Sequence, residues 1–277
     1  MQFWWIIIIG IAATILIVIS RRMLNTPGAS LLLSRKELLC VTCWYGEETT
    51  VYGAPHTSAR KLFFTNNSSM IQTIVAAGWE PVVTRDKIFA HDTSPLDPLG
   101  SHSTKRPPGI GASSLQSKQI KFLQFPPGYE HLVHEHHTIV YMDHKRIVAD
   151  VSQLMMSHTA DILIRLDEHV ESINQEIRMT SFQSRYSRKM KETIAWVTEQ
   201  DPNSQVKIMN TGVIVYNTTE TVRKLCRRVF ETCLSLQQPA CQIVWAVLAP
   251  KYEKPPHNLR IKLLKFSDVL TRPVFLS

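Results

Sequence analysis

The chain has 277 residues, of which 31 are Lys or Arg and 23 are Asp or Glu, so its formal net charge is +8. Hydrophobic residues make up 44% and charged residues 19%, a balance that excludes a disordered chain and is typical of a packed globular protein. Five cysteines in this length exclude a disulfide scaffold. The length allows one sizeable domain with a full hydrophobic core.

The chain begins with a hydrophobic segment followed by a short stem. Residues 3–19 carry no charge, and at about 1.5 Å per residue they span roughly the 30 Å hydrocarbon core of a bilayer. We predict a transmembrane signal anchor over 1–22, because Arg21 and Arg22 end the run and no small-x-small cleavage site follows. A cleaved signal peptide is the alternative. The stem is predicted over 23–36.

Two signals disagree about the side of the membrane on which the domain lies. Basic residues between 21 and 36 follow the apolar segment and favour the cytosol. Three glycosylation sequons, beginning at Asn66, Asn67 and Asn217, favour the lumen. The predicted localisation is therefore a single-pass protein of the Golgi, endomembrane or another intracellular membrane, with both orientations open.

The rest of the chain, 37–277, alternates predicted strands and helices. Strands are predicted over 38–46, 61–67, 81–85, 138–143, 161–168, 206–217 and 259–266, with helices between most of them. Residues 87–112 are rich in Pro, Gly, Ser, Asp and His, which predicts a long loop. The alternation predicts an α/β fold with a mostly parallel central sheet flanked by helices. Ligands bind such sheets beyond the carboxyl ends of the strands.

Asp143 ends the predicted strand 138–143, and His144, Lys145 and Arg146 follow it. An acid at a strand end beside cations suits a nucleotide-diphosphate site. The carboxylate can hold a divalent cation or a ribose hydroxyl, while the basic side chains offset phosphate charge. An aspartate in a simple turn is the alternative. Nucleic acid is not an expected partner, because the basic residues form no stripe interleaved with aromatics.

Two further clusters have residue types that bind metals, but their spacing favours structural roles. The four histidines in 131–137 lack the i, i+4 spacing of helical ligands, so we predict a polar surface loop. Cys40 and Cys43 lie in a predicted strand, where residues i and i+3 point to opposite faces. We therefore predict that both cysteines pack in the core.

The order of several segments resembles GT-A glycosyltransferases, and among them the plant-type glycosyltransferase-like family of the TOD/MUCI type. The matching segments are CVTCWYG at 40–46, FFTNN at 63–67 with Gly78-Trp79, Lys118 and Lys121 before Phe125-Pro126, Tyr141-Met-Asp143-His-Lys145, and Cys241-Gln242 with Trp245. They cover roughly 38–250. The chain departs from the family at three positions. His144 replaces a glycine, Cys241 replaces an acid, and Lys145 stands where the second Asp of an Asp-x-Asp metal motif is expected.

This resemblance implies a membrane-anchored glycosyltransferase that moves a sugar from a nucleotide-sugar donor to a glycan or glycoconjugate acceptor. It divides the domain into a nucleotide half, 37–145, and an acceptor half, 146–277. It places Tyr45, Gly46 and Asn66 at the nucleoside, Lys118, Lys121 and Lys145 at the diphosphate, Asp143 at a Mn or Mg position, and Glu168, Asn210 and Gln242 as catalytic residues on the acceptor side. Because of the departures, an inactive GT-A-like relative that binds glycan or protein stays open, as does an anchored basic structural protein.

Overall fold

The computed structural model of the protein describes residues 36–45, 50–84, 110–144, 147–148, 151, 159–187, 189–200, 206–264 and 269–270. Apart from Lys36, these residues lie in one compact unit, Glu37–Ser277. The predicted anchor and most of the predicted 87–112 loop lie outside the described residues. In the part of the chain that is described, no helix is both long enough and apolar enough to cross a membrane.

A mostly parallel mixed sheet forms the centre of this unit. The described strands are β1 (Lys36–Trp44), β2 (Arg60–Thr65), β3 (Glu80–Val83), β4 (His136–Met142), β5 (Ile147–Val148), β6 (Ile162–Leu166), β7 (Met209–Asn217), β8 (Ile261–Leu264) and β9 (Val269–Leu270). Seven of them form one sheet in the order β3-β2-β1-β4-β7-β6-β8, and β5 pairs separately with β9. Strand β2 is parallel to β1 and β3, and β6 is parallel to β8, whereas β7 is antiparallel to β4 and β6. The predicted α/β class is thus confirmed.

Helices pack against the sheet between these strands. A 3-10 turn, Ser68–Met70, leads into α1 (Ile71–Ala76), and the other described helices are α2 (Ile110–Lys121), α3 (Leu132–Glu135), α4 (Ile173–Ser181), α5 (Ser184–Ser187), α6 (Met190–Gln200), α7 (Glu220–Ser235) and α8 (Cys241–Glu253). The side chains of Ser172 and Thr219 accept hydrogen bonds from backbone N–H groups and cap α4 and α7. These caps satisfy donors that the first helical turn leaves unpaired.

The hydrophobic core lies on both faces of the sheet. Val41 and Cys43 pack in one buried cluster with residues of α2, α7 and α8, whereas Cys40 packs in a second cluster on the other face. This confirms the prediction that the two cysteines lie on opposite faces of a strand. Helix α8 is buried around most of its circumference, and its Trp245 stacks on Phe122 at 6.0 Å between ring centroids. The helices that carry polar site residues are therefore held by a continuous apolar core.

The surface-loop prediction for 131–137 is confirmed for the exposure of His131, His134 and His137 and wrong for the loop conformation and for His136. Helix α3 occupies the centre of this segment, and His136 begins β4 with none of its surface exposed. The Nδ1 atom of His136 lies 3.1 Å from the Leu132 carbonyl oxygen. Leu132 and Val133 are buried in the core, and their packing forms the helical turn that brings His136 into the interior. These two apolar positions were the sequence signal for a buried helical turn, and the number of histidines around them obscured it.

Candidate functional site

The candidate site is the edge of the sheet where β1 and β4 end. Strands β1, β2 and β3 follow one another outward, and the chain then returns to place β4 on the other side of β1. This reversal is a topological switch point, and open α/β sheets bind ligands outside the strand ends at such points. The ends of the two strands meet here, since the ring of Trp44, the last residue of β1, lies 4.2 Å between centroids from that of His144, two residues after β4.

Asp143, the first residue after β4, is the focus of a polar cluster at this edge. Its backbone N–H donates to the Gly212 carbonyl oxygen at 2.7 Å, which ties it to β7. Its Oδ1 atom lies 3.0 Å from Lys121 Nζ and accepts a 2.7 Å hydrogen bond from the Tyr141 hydroxyl. The Asp143 side chain is 41% exposed and that of Lys121 only 4%. A ligand would therefore approach the pair past the Asp143 carboxylate, with the Lys121 ammonium directly behind it.

Lys121 is positioned by contacts from several elements. Its backbone carbonyl accepts a 2.9 Å hydrogen bond from the Tyr216 hydroxyl. Its ammonium lies 3.4 Å from Thr211 Oγ1 and 5.1 Å from the centroid of the Tyr141 ring. Thr211 Oγ1 in turn lies 3.4 Å from the sulfur of Cys241, the first residue of α8. Residues of β4 and β7 thus contact the ammonium of this α2 lysine, and Cys241 of α8 contacts one of them, Thr211.

Lys118 supplies a second cation one helical turn earlier. Residues i and i+3 of a helix share a face, so both lysines of α2 point toward the same edge. Lys118 is 8% exposed, and among the described residues its ammonium has no hydrogen bond or ion pair. A buried charge that makes no hydrogen bond or ion pair is costly to the fold, and an anionic ligand would offset that cost. With two lysines and one carboxylate, the cluster is net positive and suited to an anion.

The charges of this cluster shift the pKa values of its acidic groups. Burial opposes ionisation of Asp143, but the attraction of Lys121 and Lys118 outweighs burial and lowers the pKa of Asp143 below its ordinary value. Burial, followed by the Asp143 charge, raises the pKa of Tyr141 well above its ordinary value, so the phenol stays protonated. Burial raises the pKa of the Cys43 thiol to about 12, which excludes it as a thiolate nucleophile at neutral pH.

The described residues around Asp143 do not form a donor set that fits a divalent cation. Within the described residues, no three His, Cys, Asp or Glu side chains converge as a metal-binding group. A cation bound to Asp143 Oδ1 at about 2.1 Å would lie within about 5 Å of the Lys121 ammonium, where repulsion reaches roughly 6 kcal/mol at an effective dielectric constant of about 20. The Lys121 ammonium itself contacts Oδ1 of Asp143, the residue for which the sequence predicted a metal position.

An aromatic group flanks the cluster, and the sequence interpretation did not identify it. Trp44, Tyr52 and His144 are half-buried, and the rings of Tyr52 and His144 lie 6.2 Å apart between centroids. Trp79 Nε1 donates to the Tyr52 carbonyl oxygen at 3.0 Å and fixes that segment. Partly exposed rings beside a cationic cluster offer a surface on which a base or a sugar ring can stack. The signal for Trp44 was its position at the end of a buried strand.

Three of the remaining predicted residues lie near the Asp143 cluster. Tyr45 is buried immediately after β1. The Oδ1 atom of Asn210 accepts a 3.0 Å hydrogen bond from the Gly212 N–H, and so braces the backbone that receives Asp143. Gln242 is half-buried in the first turn of α8, next to the cysteine that contacts Thr211.

The other predicted residues are placed less favourably or are not described. Asn66 is exposed after β2. Glu168 is exposed two residues after β6 and has no hydrogen bond or ion pair with the described residues. Gly46 and Lys145 lie outside the described residues. The structure therefore groups Lys118, Lys121 and Asp143 most closely.

Comparisons with known proteins identify distant structural similarities. No protein-family model and no curated protein sequence matches the chain. The chain is similar to mouse xyloside xylosyltransferase 1 in its apo form, with 10% identity, 83% of this chain and 85% of that chain covered, and a TM-score of 0.40. It is also similar to the galactosyltransferase LgtC in complex with donor and acceptor sugar analogues, with 10% identity, 76% and 70% coverage and a TM-score of 0.39.

A third structural similarity is to the bifunctional glycosyltransferase WbbM in its apo form. The identity is 11%, 82% of this chain and 38% of that chain are covered, and the TM-score is 0.38. The named structures are all glycosyltransferases. At these identities and TM-scores, the similarity by itself assigns no activity to this chain.

Proposed function

We propose that the protein is a GT-A-type glycosyltransferase that transfers a sugar from a nucleotide-sugar donor to a glycan or glycoconjugate acceptor. The observation that carries the proposal is the convergence of buried Lys118 and Lys121 on Asp143 at the topological switch point. A nucleoside diphosphate matches both features of this edge, because it has anionic oxygens for the lysines and a flat ring for the aromatic group. The sequence resemblance to GT-A enzymes assigns the donor diphosphate to the same lysines.

The chemistry that this arrangement supports is stabilisation of a leaving group. In glycosyl transfer, the bond between the anomeric carbon and a phosphate oxygen breaks, and its electron pair stays with the nucleoside diphosphate. The acceptor hydroxyl oxygen bonds to the anomeric carbon, and its proton is released. The ammonium groups of Lys121 and Lys118 would stabilise the charge that develops on the diphosphate, and a preorganised, partly buried site does this better than water.

The proposal includes an acceptor side and a membrane anchor. Asn210 at the start of β7 and Gln242 in α8 lie next to residues of the cluster and would contact the acceptor, with Glu168 farther along the sheet edge. The anchor over 1–22 rests on the apolar segment of the sequence. Protease protection of the domain in sealed vesicles separates the lumenal orientation from the cytosolic one.

A catalytically inactive relative is the second candidate, and Cys241 favours it. The resemblance expects an acid at this position, which would be available to an acceptor hydroxyl. Cys241 is instead 2% exposed, and its sulfur packs against Thr211 Oγ1 at 3.4 Å. Such a site could still hold a nucleotide-sugar without transferring the sugar.

The proposed function is tested by turnover. Full-length protein in detergent is incubated with a panel of nucleotide-sugars, with and without glycan acceptors, and release of nucleoside diphosphate is measured. We expect donor-specific release that an acceptor increases and that Lys121→Met abolishes. Binding without release would favour the inactive relative, whereas the absence of binding to every nucleotide-sugar would overturn the proposal.

A matched control is available on α7. Lys224→Met also removes the lysine of an ion pair, but Lys224 is 59% exposed and pairs with Glu220 at 2.7 Å on the helix surface. Exposed pairs of this kind contribute little to stability. We expect turnover by this variant to equal that of the parent protein.

A further inference from the structure

We infer that the Lys121 ammonium takes the place of a divalent cation in this site, so that a donor diphosphate binds directly to Lys121 and Lys118 without Mg²⁺ or Mn²⁺. The inference rests on the proposed function and specifies how the donor is held. In this arrangement Asp143 is a positioning residue, which orients the Lys121 ammonium and does not ligate a metal.

The balance of charge is the first argument. Lys118 and Lys121 are both buried, and among the described residues Asp143 contacts Lys121 at 3.0 Å and attracts Lys118 through its charge. A divalent ion would add positive charge to a cluster that is already net positive. A diphosphate has the opposite sign, and it would neutralise the Lys118 ammonium, which makes no hydrogen bond or ion pair within the described part of the chain.

The hydrogen-bonding capacity of the two ammonium groups is the second argument. An ammonium has three N–H donors. Lys121 directs donors to Asp143 Oδ1 at 3.0 Å and to Thr211 Oγ1 at 3.4 Å. Within the described residues, Lys121 therefore keeps one N–H donor for a phosphate oxygen, and Lys118 keeps all three of its N–H donors. Charge-assisted hydrogen bonds from ammonium to phosphate are among the stronger ones in proteins.

The state of the Asp143 carboxylate is the third argument. Its Oδ1 atom already contacts the Lys121 ammonium and the Tyr141 hydroxyl, and the pKa of Tyr141 is raised so that the hydroxyl keeps its proton. No described residue makes a hydrogen bond to Oδ2. A metal ion at Oδ2 would have one protein oxygen as its ligand here and an ammonium as its neighbour. Hard divalent cations prefer several oxygen ligands without a competing positive charge.

The inference is tested by calorimetric titration of full-length protein with UDP and with GDP. One titration contains EDTA, and the other contains excess Mg²⁺ or Mn²⁺. We expect one of the two nucleotides to bind with a Kd in EDTA that is within about twofold of its Kd with the metal. We expect Lys121→Met to weaken that binding about tenfold or more in both solutions, because a charge-assisted contact is lost.

Lys118→Met separates loss of the site from loss of the fold. The ammonium that it removes belongs to a buried residue and makes no hydrogen bond or ion pair with the described residues, so the melting temperature should stay equal or rise. Nucleotide binding should nevertheless weaken about tenfold. Lys224→Met is the control for removal of a lysine as such, and it should bind like the parent protein.

Asp143→Asn distinguishes a positioning residue from a metal ligand. We expect it to weaken nucleotide binding by less than Lys121→Met does, with no dependence on added metal. Binding that requires Mg²⁺ or Mn²⁺ and that Asp143→Asn abolishes would overturn the inference and leave the proposed function intact. Failure of both UDP and GDP to bind in either solution would overturn the inference, and failure of the whole nucleotide-sugar panel to bind would overturn the proposed function as well.

Discussion

Two aspartates at strand ends show how differently one residue type can be used in this fold. Asp161 precedes β6, and Asp143 follows β4. Burial opposes the charged form of each, yet basic partners lower the pKa of both below the ordinary value. For Asp161 the partner is Arg260, which donates to Oδ2 from its backbone N–H at 2.9 Å and from Nε at 3.2 Å, and to Oδ1 at 3.3 Å.

The two regions differ in what they leave open. Both oxygens of Asp161 are occupied by one residue, and the pair joins β6 to the edge strand β8. Asp143 makes its contacts through Oδ1 alone in the described structure, and two buried lysines face it. Asp161 therefore has the contacts of a structural residue that holds two strands together. Asp143 belongs to a cluster in which the positive charge of two lysines exceeds the negative charge of one carboxylate. This difference predicts opposite effects of the same substitution.

The largest expected effect follows from changing each aspartate to asparagine. Asp143→Asn should lower turnover of the nucleotide-sugar about a hundredfold, because Lys121 loses the group that orients it toward the leaving diphosphate. Its melting temperature should change little, since the side chain is 41% exposed and the amide oxygen of asparagine can still accept from the Lys121 ammonium and the Tyr141 hydroxyl. Asp161→Asn should do the reverse, lowering the melting temperature and leaving turnover close to that of the parent protein. Steady-state kinetics and thermal unfolding of the two variants measure both effects.

The comparison would break if the two variants behaved alike. Equal turnover by Asp143→Asn and the parent protein would make Asp143 a structural residue like Asp161. A large loss of turnover in Asp161→Asn, without a change in melting temperature, would place a functional surface at the opposite end of the strands.

The sequence predicted the parts of the site that depend on local pattern. The apolar run before Asp143 predicts a strand that ends at an acid, and β4 ends at Met142. Lys118 and Lys121 came from the resemblance, since nothing local distinguishes them from other helical lysines. Tyr141 had a local signal that was missed, because residues i and i+2 of a strand share a face and it contacts Asp143.

The remaining site contacts depend on tertiary register, which no local pattern contains. Thr211 reaches Lys121 across 90 positions of sequence, because β7 pairs with β4 and brings its first residues to the edge of the sheet. The contact between Thr211 and Cys241 also requires the docking of α8 in the core. The same principle explains the error at His136, where burial of neighbouring apolar residues outweighed local polarity.

A third carboxylate, Glu176, shows what happens to the pKa of a buried acid when no basic side chain lowers it. Glu176 lies in α4 and is 4% exposed. Burial, followed by the charge of Asp167, raises its pKa from the ordinary 4.5 to about 7. The folded protein therefore binds this proton more tightly than the unfolded chain, so stability falls as the pH rises from about 4.5 through about 7.

Glu176→Gln should remove this pH-dependent loss. We expect the variant to be more stable than the parent protein by on the order of 2 kcal/mol at pH 8 and nearly equal to it at pH 4.5. Urea unfolding at the two pH values measures the difference. Glu199→Gln, an exposed position on α6, is the matched control and should show no such trend. A gain of the same size at both pH values would mean that Glu176 is not a buried titrating acid.

The smallest expected effect concerns Thr211, whose hydroxyl lies between the Lys121 ammonium and the Cys241 sulfur. Its Oγ1 atom is 3.4 Å from both Lys121 Nζ and Cys241 Sγ, and both distances are long for strong hydrogen bonds. Thr211→Val keeps the volume and removes the hydroxyl, so we expect a loss of stability of about 1 kcal/mol and nucleotide binding weakened about threefold. Thr232→Val, whose hydroxyl bonds within α7, is the control and should change stability without affecting binding. If Thr211→Val instead weakened binding as much as Lys121→Met, Thr211 would itself be a ligand-binding residue, and the Lys121–Asp143 pair would not account for the site alone.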